Sequence, residues 1–177
     1  MTTQQIILWT FAYLIELGAV IYFTRATSRR VMGALVGGAA AGLLGMGAIA
    51  LSEALGWWRI PFAPTPYFLP LFYLGLLISL TPIYLVTWRV ARRFGWRGLA
   101  VCFCAVAVIG PPRDYLIAAT FPKWMVFAPG VAPILADAAT YVGMVILGHV
   151  VMRLIAGPAR EDRLARHPAR LHPRHSR

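Results

Sequence analysis

The sequence predicts an all-α protein: a polytopic membrane helical bundle of five transmembrane helices, amino end outside and carboxyl end inside. Three observations carry this. The 177 residues are 59% hydrophobic and only 13% charged, against roughly 25% charged in soluble domains. Mean hydropathy is +0.68, and several apolar runs approach the ~20 residues needed to cross a bilayer. Fourteen of the 17 Lys and Arg are clustered. Arg25, Arg29 and Arg30 form one group, Arg89, Arg92, Arg93 and Arg97 a second, and Arg153 with the arginines of the tail a third. That alternation is the positive-inside pattern and places these groups in the cytoplasm. The expected location is a bacterial-type inner (plasma) membrane, crossed several times. A formal charge of +11 would suggest nucleic acid in a soluble chain. Here the charge follows the loops between apolar runs, and no nucleic-acid partner is expected.

Span one covers about Ile6 to Phe23 and carries Glu16, with Tyr13 and Val20 on the same face at helical spacing. Span two covers about Val31 to Leu55. Gly33, Gly37, Ala41 and Gly45 recur in it at four-residue steps, and small residues in that register let another helix approach closely. Two readings fit: a face for a homo-oligomer or membrane-protein partner through Gly33, Gly37 and Gly45, or a central helix packed inside its own bundle. The second is favoured.

The external loop from Arg59 to Pro70 holds four prolines, which exclude a regular helix throughout. With Trp57 and Trp58 it reads as an aromatic cap on the membrane surface. Span three covers about Phe68 to Trp88, with a kink expected at Pro82. The segment RVARRFGWR then forms an internal loop.

Span four is expected to be broken. From Gly98 to Ile109 there are too few residues to cross ~30 Å of hydrocarbon, and Gly110-Pro111-Pro112 follows at once. Extending the span to about Ala119 places Arg113 and Asp114 inside the membrane, in its outer half. Starting the span near Arg92 instead puts Arg113 at the outer surface. Trp96 and Arg97 look like an inner boundary and favour the first. After an external loop, FPKWMVFAPGVAP, span five covers about Pro133 to Ile155 with Asp137, Tyr141 and His149. The chain divides into a transmembrane domain over 1–157 and a basic, disordered cytoplasmic tail over 158–177.

Four of the six acids lie in or beside the spans: Glu16, Glu53, Asp114 and Asp137. A charge at membrane depth is costly, so it faces the bundle and finds a partner. Arg113 is expected to be bridged by one or two of Asp114, Glu16 and Asp137. The pattern predicts a pocket opening outward. Arg113, Tyr115, Tyr141, Trp57, Trp58, Arg59 and Trp124 are the candidate binding residues. Glu16, Asp114 and Asp137 would supply acid–base chemistry if there is turnover.

The chain has no P-loop, HExxH or GxSxG motif. Cys102 and Cys104, two apart, point to different sides of a helix. No metal site and no cofactor are expected. Three functions remain: binding of a membrane lipid or a larger membrane complex without catalysis, a membrane-embedded enzyme acting on a lipid or isoprenoid, and a proton- or ion-coupled carrier.

Overall fold

The computed structural model describes residues 3–61 and 66–158. The tail expected to begin at residue 158 therefore lies, from 159 onward, outside the described residues, as do positions 62–65 of the aromatic cap. By composition the chain is a helical membrane protein, and its architecture is all-α. Four helices are long and apolar enough to cross a membrane: α1 (Thr3–Thr24), α2 (Ser28–Ala54), α3 (Phe68–Thr120) and α4 (Val131–Ala156). Five separate spans were expected, and four helices are found.

The difference lies at Gly95. The segment RVARRFGWR is helical rather than a loop, and α3 departs from helical dihedrals only at Gly95 (φ 64°, ψ −149°). Glycine takes a positive φ without steric cost. The chain reverses there. Tyr84 donates to the Met144 carbonyl of α4 at 3.0 Å, while Asp114 meets Tyr141 of the same helix. Residues 84 and 114 would stand about 45 Å apart along a straight helix at ~1.5 Å per residue. Their partners on α4 are only three positions apart. The arms 68–94 and 96–120 therefore run antiparallel.

The expected break at Gly110-Pro112 does not occur; the helix continues through it. Pro111 and Pro112 each withhold an N–H from the helical ladder, but the backbone keeps helical dihedrals there. Pro82 is likewise accommodated within α3.

Small residues set the closest approaches. A Cβ at Gly37 would run into the backbone of Gly148, and one at Gly33 would lie 3.1 Å from the Met152 carbonyl. At Gly45 it would meet Met144 Sδ at 3.0 Å. These three glycines therefore face α4 of the same chain, and α2 and α4 pack closely on each other. α1 leans mainly on α3. It turns Ile6, Thr10, Tyr13, Leu17, Val20 and Thr24 inward, at alternating steps of four and three.

The bundle has two distinct ends. At one, two loops pair as a short antiparallel ribbon, β1 (Trp58–Arg59) with β2 (Val126–Phe127). Trp9, near the start of α1, meets Trp124 edge-on at the same end, centroids 6.4 Å apart. At the other end Arg30 is 1% exposed and donates to the carbonyls of Gly157 and Ala156 at 3.1 and 3.2 Å. Its guanidinium lies over the Trp88 ring, 5.1 Å from the centroid. Here a cation satisfies the orphan carbonyls that end α4. Trp88 is fully buried within the bundle.

Candidate functional site

The site begins with Gly110. A Cβ there would overlap the Tyr141 ring, so glycine lets that ring lie flat against the second arm of α3. Asp114 follows one turn later on the same face, and the Tyr141 hydroxyl reaches it, donating to Oδ2 at 2.7 Å. Asp114 Oδ1 accepts from Arg113 Nε at 3.0 Å and from Nη2 at 2.8 Å. Arg113 Nη2 also donates to the Tyr141 oxygen, and the guanidinium sits 5.4 Å from the Tyr141 ring centroid. Three side chains thus satisfy one another. Asp114 is buried at 7% exposure, whereas the Arg113 side chain is 59% exposed.

This corrects the expected cluster. Of the three candidate acids only Asp114, the sequence neighbour, bridges Arg113. Glu16 is exposed and lies outside the cavity lining. The inward face of α1 carries Tyr13 instead, and Glu16, three residues on, is rotated away from it. Asp137 is 5% exposed, and its Oδ2 has no hydrogen-bond partner among the described residues.

Arg113, Asp114, Tyr141 and Asp137 line a cavity of about 470 Å³ between α1, α2, both arms of α3, and α4. That size falls in the ~300–1,000 Å³ range of small-molecule sites. The rest of the wall is mostly apolar and aromatic, with Ile6, Trp9, Phe72, Phe121 and Met144 among its members. Trp58 and Trp124, both expected at the site, line it too.

No family model, curated protein or solved structure matches this chain. What the cavity can do therefore rests on its own geometry.

Tyr115, Trp57 and Arg59 do not line the cavity. Tyr115 stacks on Phe127, ring centroids 4.2 Å apart, and its hydroxyl is buried without a partner among the described residues. Arg59 is an exposed ribbon residue, and the backbone oxygen of Trp57 accepts from Ala128 N at 2.7 Å. Sequence reasoning missed Trp9, Thr10, Phe72, Ser79 and Thr140. The alternating steps of four and three along α1 would have drawn Thr10 and Tyr13 in together.

Among the described residues no group of three or more His, Cys, Asp or Glu is placed to hold a metal. His149 lies elsewhere, its Nδ1 3.0 Å from Thr87 Oγ1.

Proposed function

We propose that the protein is a five-crossing protein of a bacterial-type inner membrane, amino end outside, that holds a membrane lipid in its cavity without turning it over. The observation that carries this reading is the cavity itself: about 470 Å³, walled by apolar and aromatic side chains, with a compact polar cluster on one side. An apolar wall with a few convergent polar groups is the ordinary form of a small-molecule site, and here its natural guest is amphiphilic. Arg113, Asp114 and Tyr141 already bond one another, which favours holding a guest over transforming it.

Five crossings are favoured by the antiparallel arms of α3. Each of the five helical runs leads between the ribbon end and the end marked by Arg30. The arginine-rich turn around Gly95 then falls with Arg29 and Arg30 on the cytoplasmic side, following the positive-inside pattern.

Native mass spectrometry of the purified protein tests the reading. One lipid should remain bound per chain after detergent exchange, and Thr140→Trp, which fills the cavity, should release it. A bare chain, or a co-purifying subunit in place of lipid, would overturn it.

A further inference from the structure

Three hydroxyls of the cavity wall have already committed their protons. Thr140 Oγ1 donates to the Ala136 carbonyl at 2.8 Å, and Ser79 Oγ donates to the Leu76 carbonyl at 2.8 Å. Tyr141 gives its proton to Asp114. A hydroxyl has one proton to donate, so these three face a guest as acceptors only, while Thr10 and Tyr13 on α1 complete the hydroxyls of the wall. Asp137 adds Oδ2, buried in the wall and without a partner among the described residues. A buried polar atom in that state costs free energy until something donates to it. Among the described residues, the only cation lining the cavity is Arg113. Its Nε and Nη2 are engaged with Asp114 and Tyr141, while Nη1 takes no part in those bonds. One guanidinium stands against two carboxyl groups, so the wall does not invite a further bare anion.

Resting on the lipid-binding reading above, we infer that the guest's polar end is a hydrogen-bond donor, a primary ammonium above all, received by Asp137. A zwitterionic aminophospholipid meets every term. Its ammonium supplies the proton that Asp137 lacks, and the phosphate beside it falls to Arg113 Nη1. A choline head carries the same charges but has no N–H to give. A glycerol head has hydroxyl donors but leaves the lipid anionic.

The test is competitive loading of the full-length protein in non-ionic detergent. The probes are dioleoyl phosphatidylethanolamine, phosphatidylcholine and phosphatidylglycerol in equal amounts, and the lipid-bound species are resolved by native mass spectrometry. Phosphatidylethanolamine should exceed phosphatidylcholine by about tenfold, as one charged hydrogen bond of ~1.4 kcal/mol gives. Asp137→Asn should bring the two level while one lipid still binds. Equal occupancy of the two zwitterionic lipids in the wild type, or a preference for phosphatidylglycerol, overturns the inference and leaves the lipid reading standing. Loss of all bound lipid in the wild type removes both. The wild-type comparison is decisive even where Asp137→Asn lowers folded yield.

Discussion

Tyr141 lays its ring on the bare backbone of Gly110, and this contact brings its hydroxyl to Asp114. A methyl group at Gly110 would overlap three carbon atoms of that ring. Gly110→Ala should therefore destabilise the folded protein by about 1–3 kcal/mol, the range for overpacking a close contact. Thermal unfolding in detergent reads this out. Gly47→Ala is the control: nothing lies within 4 Å of its added Cβ. Its melting temperature should hold or rise, because alanine is the better helix former by ~0.5–1 kcal/mol.

The Tyr141 and Asp114 side chains should be energetically coupled. Tyr141→Phe removes a hydrogen bond to a carboxylate, worth roughly 1.5–3 kcal/mol. Asp114→Asn alone leaves Arg113 without its ion-pair partner. A double-mutant cycle should give a coupling of ~0.5–3 kcal/mol. Strict additivity would mean that the hydroxyl and the carboxylate act independently, against the 2.7 Å geometry.

Arg30 should tolerate no simple replacement. Arg30→Ala leaves the carbonyls of Ala156 and Gly157 without their donor and removes the cation from the face of Trp88. Arg30→Lys restores charge but not the planar fork. Both should lower the melting temperature, lysine by less. Equal melting temperatures for wild type and Arg30→Ala would show that the end of α4 is held by other contacts.

Topology is open to direct measurement. In a background where Cys102 and Cys104 are replaced by Ala, single cysteines at Lys123→Cys and Arg97→Cys should label from opposite sides of the membrane with an impermeant maleimide. Labelling from one side would mean that the second arm of α3 does not cross.

The sequence was most readable where composition decides. Apolar runs and arginine clusters mark the helices, because lipid demands length and apolarity of every span. It was least readable where a distant residue decides. Gly110-Pro111-Pro112 reads as a break, since proline withholds donors. Yet the glycine serves a ring 31 positions away, and the helix runs on. Glu16 looks like a partner for Arg113 on depth alone. Helical spacing puts it on one face with Tyr13 and Val20, yet those two turn inward while Glu16, at the edge of that face, stays exposed. Asp137 and Tyr141 were legible as a pair because they sit one turn apart on one helix. The opposite wall, from Trp9 to Phe72, depends on how α1 leans on α3, and local pattern does not encode that. A reversal was expected in RVARRFGWR, but its arginines suggest an ordinary loop and do not show that Gly95 alone departs from helical dihedrals.

That reversal uses a single residue, so the two arms of α3 share one rotational phase with no slack between them. Each helical residue advances the phase by about 100° at 3.6 residues per turn. Inserting one alanine after Gly98 would swing Gly110 and Asp114 together off the Tyr141 face, with no loop to absorb the turn. Hydrophobicity and charge would be unchanged while the polar cluster came apart. The hairpin at Gly95 is in this sense a gauge block, holding two distant stretches of chain in step.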